Sequence, residues 1–436
     1  MEIVLFEDEK FANFLPLVYT RPVYELRVGA LPLRSRVQRE LEGELCLYTR
    51  AYLAPHYASE LKSAGVRARV NPDLLDDCAL LLNGRLLGWE DVLGMVAKLA
   101  SEKEEFVLVS GGCIAAAKTK RPGELISSLV TQDTSSLLRE LRKRAEVLEG
   151  EVPMLEFPWD LIKYNRKMLE RDLGERGAIL GEIERGAVLK GPVENVYVGE
   201  GAIVETLAVL DARGGPVYVG EGAEIRSCAV VKGPAYIGPE TIVVEGARVR
   251  EGSNIGRTCR IGGEVEESVF HAYSNKYHDG FVGHSYIGEW VNLGALTTTS
   301  DLKNTYGTIR MELGGRTVDT GMLKIGSFIG DMTKTSVGVL IYSGRKVGVS
   351  SHLHGVVAED VPSFTIYARS IGAGSVELYL ESAIETQRRM MRRRGKEMGR
   401  ELEELIRYLF EATKEEREGV GVERGEFRAG SPRAGR

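Results

Sequence analysis

The chain has 436 residues, 43% of them hydrophobic and 28% charged, with a formal net charge of −6 at pH 7. That length implies two or three domains, the composition is that of an ordinary globular protein, and the acidic balance excludes a nucleic-acid footprint spread over the whole surface. Five scattered cysteines without a CxxC spacing exclude a zinc knuckle and a disulfide framework, and the lack of any apolar run of about eighteen residues or of a signal-peptide pattern leads to the expectation of a cytoplasmic protein with no membrane partner.

In chain order, residues 1–150 read as an α/β domain. Strands are predicted at 2–6, 44–48, 78–82 and 106–109, and helices at 31–42 and 56–64. Strands alternating with helices predict a mostly parallel sheet with ligands at the carboxyl ends of the strands. Residues 151–177 are predicted to form a linker helix, an amphipathic hinge near Trp159.

From 178 to 370 the pattern changes, and an aliphatic residue returns at every sixth position. One run is Val219, Ile225, Val231, Ile237, Val243, Val249, Ile255 and Ile261. A second is Phe281, Ile287, Leu293 and Thr299, and a third is Leu323, Ile329, Thr335, Ile341, Val347 and Leu353. Neither the helical nor the strand period produces this spacing, whereas a parallel β-helix does. Each hexad is a short strand and a corner, three hexads close a triangular coil, and stacked coils share a narrow apolar core. The spacing breaks at Arg213-Gly-Gly-Pro216, slips after Ile261 and breaks again over 303–321, where loops leave the prism. Residues 371–418 are predicted as a C-terminal helix, in which the Arg-rich part 387–396 is a solvated face or a contact within an oligomer. A disordered tail is expected over 419–436.

Leu15-Pro16-Leu17, Thr20-Arg21-Pro22 and Gly29-Ala30-Leu31-Pro32-Leu33 resemble the opening of sugar-1-phosphate nucleotidyltransferases, and Phe157-Pro-Trp-Asp resembles the link by which many of them enter a repeat domain. The departures fall on the chemistry. Glu7-Asp8-Glu9-Lys10 stands in place of the family's glycine-rich phosphate loop, Val23 in place of its lysine, and Arg85 in place of its metal-binding aspartate. Acids in that loop repel a triphosphate, and loss of the aspartate removes an anchor for Mg²⁺. Two readings stay open. In one the domain is degenerate and binds a sugar phosphate or acts as scaffold. In the other it is an active, Mg²⁺-using variant in which Arg21, Arg27, Arg34, Arg36 and Arg85 hold phosphate. Either way the resemblance marks Arg21 and Arg85 as candidate substrate-binding residues.

The repeat resembles the left-handed hexapeptide-repeat acyltransferases, and the handedness is an implication of that resemblance. Segment 276–301 is similar, without gaps, to the acetyltransferase half of the bifunctional glucosamine-1-phosphate acetyltransferase/N-acetylglucosamine-1-phosphate uridyltransferase family (GlmU). His278 falls on the family's catalytic histidine, Phe281-Val-Gly on "YLG", and Val291-Asn292-Leu-Gly-Ala on "VNIGA". Further back, Glu264-Val265 falls on "EV" and Arg248 within "ARLR". The resemblance implies that His278 is the catalytic base and that Arg248, Glu264, Asn292 and Asp301 contact the substrate. Imidazole, with an ordinary pKa of roughly 6.5, serves as a neutral base and would take a proton as a sugar amine attacks the thioester of acetyl-CoA. Glu266 replaces a family lysine, Phe281 a tyrosine and Asp301 an asparagine, which points to an amino sugar or sugar nucleotide other than glucosamine-1-phosphate.

The expectation is therefore a Rossmann-like α/β nucleotidyltransferase-like domain, an all-β left-handed parallel β-helix and a C-terminal α-helix. The expected assembly is a homotrimer that acylates an amino-sugar phosphate or sugar nucleotide, with no bound metal and no nucleic-acid partner. Sugar-1-phosphate nucleotidyl transfer is the alternative. Zinc held by His278, His284, His352 and His354, as in hexapeptide-repeat carbonic anhydrases, and a non-catalytic trimeric scaffold are the remaining readings.

Overall fold

The computed structural model describes residues 1–174 and 177–427. The chain forms two compact units. One comprises residues 1–27, 31–158 and 399–405; the other comprises 28–30, 159–398 and the residues from 406 onward.

The first unit is built on a seven-stranded sheet of order β3-β2-β1-β4-β6-β5-β7. Its strands are β1 Glu2–Phe6, β2 Glu44–Leu47, β3 Arg69–Val70, β4 Ala79–Asn83, β5 Phe106–Ser110, β6 Cys113–Thr119 and β7 Glu146–Glu149. All pairings are parallel except at β6, which runs antiparallel to both β4 and β5. The turn that sends β5 back as β6 is Gly111-Gly112, both at positive φ, a conformation that favours glycine. Strand β6 escapes the sequence reading because its centre, Ala115-Ala116-Ala117, carries little β preference. Val4, Phe6, Tyr48, Leu81 and Val107 pack under Leu125, Leu137 and Leu141, and all are fully buried.

The second unit is a parallel β-helix. On its first face Val198, Val219, Ile237, Ile255, Phe270, Ile287, Ile329 and Val347 stack in register. On the second, Leu210, Val231, Val249, Val265 and Val282 do the same, and Thr299, Ile341 and Val357 continue the column. Each is buried in one continuous core or, for Thr299, fully enclosed. Burying an aliphatic side chain contributes about 1.5–3 kcal/mol, so the column of inward residues holds the prism together. Outside it, Tyr197, Tyr218 and Tyr236 stack with ring centroids 4.4 and 5.0 Å apart.

Two expected core positions are corrected. Phe281 does not point inward: it pairs with Glu264 in the ladder, while its neighbour Val282 fills the core above Val265. The slip arises because Lys276, not an aliphatic residue, sits in register above Ile261. Leu323 is 55% exposed. It closes an excursion that carries a hairpin, Arg310–Leu313 against Arg316–Asp319, and the core resumes at Ile325.

The stretch 371–418 is not a single helix. Strand Gly374–Glu377 pairs antiparallel with Thr365–Ala368, and helices Leu380–Arg392, Arg400–Ala412 and Lys414–Gly419 follow. Gly395, at φ 63°, and Gly399 interrupt the first two, as glycine's conformational freedom allows. Of the expected linker, 175–176 lie outside the described residues, as do 428–436 of the expected disordered tail. Within that tail Glu423 is bonded to the strand Gly374–Glu377 at Ser375 and Glu377. Among the described residues no helix is long and apolar enough to cross a membrane.

Candidate active site

On the third face of the β-helix the outward residues change character partway along. Arg260, Asn275, Asn292, Lys334 and His352 occupy successive rungs of one ladder, and adjacent rungs of such a ladder are about 4.8 Å apart. The Asn275 amide donates to Asn292 Oδ1 at 3.2 Å. The corner after Asn275 holds His278, and a buried lysine fixes that corner. Lys276 is 1% exposed, and its ammonium donates to Gly262 O at 3.0 Å and to His278 O at 2.8 Å. Burial pushes the Lys276 pKa down to about 8, against the opposing pull of Asp279. The His278 ring is exposed, with Tyr277 edge-on at 5.3 Å.

His278 and Asn292 line one cleft of about 350 Å³, together with Arg260, Arg393 and Arg394. A second cavity of about 300 Å³ shares Asn275, Asn292, Arg393 and Arg394 with the first and extends to Lys334 under the helix Leu380–Arg392. Lys334 donates to Trp290 O at 3.1 Å and Met332 O at 2.6 Å, and burial lowers its pKa to about 7 despite Asp331. Burial, then the charge of Lys334, lowers His352 to about 4. Chemically, the cleft offers an exposed imidazole, amide groups and several cations around a space sized for a small molecule.

The other sequence candidates lie elsewhere. Arg248 is paired with Glu264 at 3.0 Å on the second face, and Arg250 bonds both Glu264 and Glu266. Asp301 accepts from the His284 ring nitrogen Nδ1 at 2.8 Å. Burial raises the Asp301 pKa, but the bond and charge of His284 outweigh this and hold it below the usual carboxylate value. His271 makes a similar pair with Glu289 at 3.0 Å. The structure thus brings His278 together with Asn292, Arg248 with Glu264, and Asp301 with His284; the last two pairs are linked through Glu266, which meets Arg250 at 2.9 Å and Lys324 at 3.6 Å, and the charge of Lys324 in turn acts on Asp301. Among the described residues no group of three or more His, Cys, Asp or Glu side chains is placed to hold a metal ion.

In the first unit Arg85 is fully buried. It donates through Nε and Nη2 to Asp8 at 2.7 and 2.6 Å and through Nη1 to Leu155 O at 2.6 Å. Burial disfavours its charge, but Asp8 more than compensates and raises its pKa. Glu7, also fully buried, accepts from Arg50, Thr49 and the Val23 amide. Arg34 pairs with Glu25, and Arg36 donates to Leu31 O at 3.0 Å. Arg21 is buried as well. Glu7 and Asp8, two of the three acids that replace the phosphate loop, are therefore internal partners of arginines, while Glu9 is exposed and accepts from the Thr134 hydroxyl.

Sequence reasoning missed Arg260, Asn275, Lys276, Lys334, Arg393 and Arg394. The first four are separated by irregular coil lengths after Ile261, so counting in sixes does not stack them. The last two sit at the end of a helix whose charge reads as ordinary surface. Their signal was the Arg-rich run itself.

Residues 3–176 match the family described as sugar nucleotidyl transferase. The chain is 31% identical over 223 residues to the bifunctional sugar-1-phosphate nucleotidylyltransferase/acetyltransferase of Sulfurisphaera tokodaii, covering 50% of this chain and 49% of that protein. It is 29% identical over 220 residues to the bifunctional protein GlmU of Methanocaldococcus jannaschii, covering 50% and 47%. The chain thus spans about half the length of the curated relatives it matches. Among solved structures, the UDP-N-acetylglucosamine acyltransferase of Francisella novicida aligns over 56% of this chain and 94% of its own, at 14% identity and a TM-score of 0.32. Over about half its length the chain resembles bifunctional sugar-1-phosphate nucleotidylyltransferase/acetyltransferase and GlmU proteins, and its residues 3–176 match the sugar nucleotidyl transferase family.

Proposed function

We propose that the β-helix transfers an acetyl group from acetyl-CoA to the amine of an amino-sugar phosphate or sugar nucleotide. The observation that carries this reading is the shared cleft of His278 and Asn292. His278 takes the proton of the attacking amine, Asn292 orients the acceptor, and Lys276 holds the His278 backbone in place. The amine adds to the thioester carbonyl, the tetrahedral intermediate collapses with cleavage of the C–S bond, and the His278 imidazolium returns its proton to the departing sulfur, so that the amide and the free thiol of CoA leave and the base is restored. A bifunctional relative with acetyltransferase in its name supports the reading, as does the ungapped similarity of segment 276–301.

The first unit, on this reading, no longer performs metal-dependent nucleotidyl transfer. The residues there do not fit a divalent cation, because a guanidinium fills the place of the metal-binding carboxylate and Asp8 is already its partner. Active sites formed between neighbouring prisms of a homotrimer complete the proposal. Exposed Leu296, Val337 and Leu340 on the β-helix supply apolar surface for such contacts.

The test is a panel of amino-sugar phosphates and amino-sugar nucleotides incubated with acetyl-CoA, with free thiol and product mass both followed. A product heavier by one acetyl group supports the reading. Thiol release without an acetylated sugar, or no release with any acceptor, contradicts it.

A further inference from the structure

Arg260, Arg393 and Arg394 converge on the cleft beside His278, and none of its lining residues is a carboxylate. Among the described residues none of the three has an acidic partner within ion-pair distance. Arg260 donates only to the carbonyls of Glu240 and Cys259. Arg394 donates through Nη2 to Asn275 Oδ1, and its Nε is enclosed by protein with no acceptor at all. Burial first, then the charges of Arg260 and Arg393, lowers the Arg394 pKa. By contrast Arg34, Arg50, Arg85 and Arg248 each have a carboxylate. A crowded set of cations with an unsatisfied buried donor is costly unless an anion completes it, and planar guanidinium groups match phosphoryl oxygens in particular.

The position implied by resemblance for sugar-phosphate binding is, by contrast, already neutralised. Arg248 and Arg250 are occupied by Glu264 and Glu266. We propose that Arg260, Arg393 and Arg394 form a binding site for a phosphoryl or diphosphoryl group, which fixes a phosphorylated ligand with its reacting end at His278. The anion site stands on its own geometry, and the placing of its ligand at His278 rests on the acyl-transfer reading. The phosphoryl group belongs either to the amino-sugar acceptor or to CoA, both of which present the same chemistry to the arginines.

The experiment is calorimetric titration of the full chain with inorganic pyrophosphate at low ionic strength. Arg393→Gln and Arg394→Gln are compared with Arg392→Gln, whose side chain is exposed near Glu397. Saturable binding is expected. Loss of one charged hydrogen-bond donor should weaken it by about tenfold or more, while Arg392→Gln leaves it unchanged. Arg393 is exposed, so its variant tests the site even where Arg394→Gln lowers stability. Displacement of pyrophosphate by CoA but not by pantetheine assigns the site to the donor, and displacement by glucosamine 1-phosphate assigns it to the acceptor. No saturable binding, equal affinity in all variants, or displacement by pantetheine overturns the site. Loss of pyrophosphate binding in variants that still release thiol at full rate overturns the placing at His278 and leaves acetyl transfer standing. Pyrophosphate binding without thiol release does the reverse.

Discussion

Arg85 and Lys334 each carry charge where water is scarce, with opposite consequences. The Asp8–Arg85 pair is almost wholly enclosed, so Arg85→Ala strands a carboxylate and should cost about 3–5 kcal/mol in urea unfolding. A loss under 1 kcal/mol would show that Asp8 finds other partners. Lys334 has no such paired carboxylate. Its pKa falls from 10.5 to about 7 on folding, so between those values the unfolded chain binds a proton that the folded chain does not. Stability should therefore rise with pH across that window, by up to about 1.4 kcal/mol per unit. Lys276 adds a similar contribution above about 8. Lys334→Met should remove one of the two slopes in unfolding curves taken between pH 7 and pH 10, and an unchanged slope would contradict the burial of this amine. His284, tied to Asp301 on another corner, should tolerate Ala with only a mild loss of turnover. Near-full activity in His278→Ala combined with loss in His284→Ala would move the base by one hexad.

At the level of elements, the hexad is a packing rule with little tolerance at the corners. A Cβ on Gly256 would lie 1.7 Å from the His271 carbonyl oxygen, closer than any contact allows. Gly256→Ala should therefore cost about 1–3 kcal/mol or more, read as a lower melting temperature, and wild-type stability would show that the coil spacing relaxes locally. The same rule explains what the sequence makes legible. From Val219 to Ile261 every sixth residue is in the core, since each coil has three equal sides. Beyond Ile261 the coils change length. Lys276 replaces an aliphatic residue by directing its ammonium to two carbonyls, and Phe281 yields the inward position to Val282. The resemblance therefore singled out His278, but the spacing could not show which residues from other coils and from the end of the helix Leu380–Arg392 share its cleft. Pairing of Arg85 with Asp8 was equally hidden, because the partners are far apart in sequence and each looks like a solvated charge on its own.

For the whole molecule, the two units make different claims. The first matches the sugar nucleotidyl transferase family over residues 3–176, yet Glu7 and Asp8, at the place of the phosphate loop, are internal ion-pair partners. Mg²⁺-dependent pyrophosphate release from any nucleoside triphosphate with a sugar 1-phosphate, abolished by Arg21→Ala, would contradict its proposed inactivity. The second is expected to assemble as a homotrimer, and a monomer by light scattering at micromolar concentration would remove the shared-site arrangement. The central claim is acetyl transfer at the His278 cleft, and the most direct test is thiol release from acetyl-CoA by wild type and His278→Ala with an accepted amino sugar. Because the His278 side chain is exposed, the variant should keep its melting temperature and oligomeric state while kcat falls by about 10²–10⁴-fold. Undiminished turnover in His278→Ala would contradict the account.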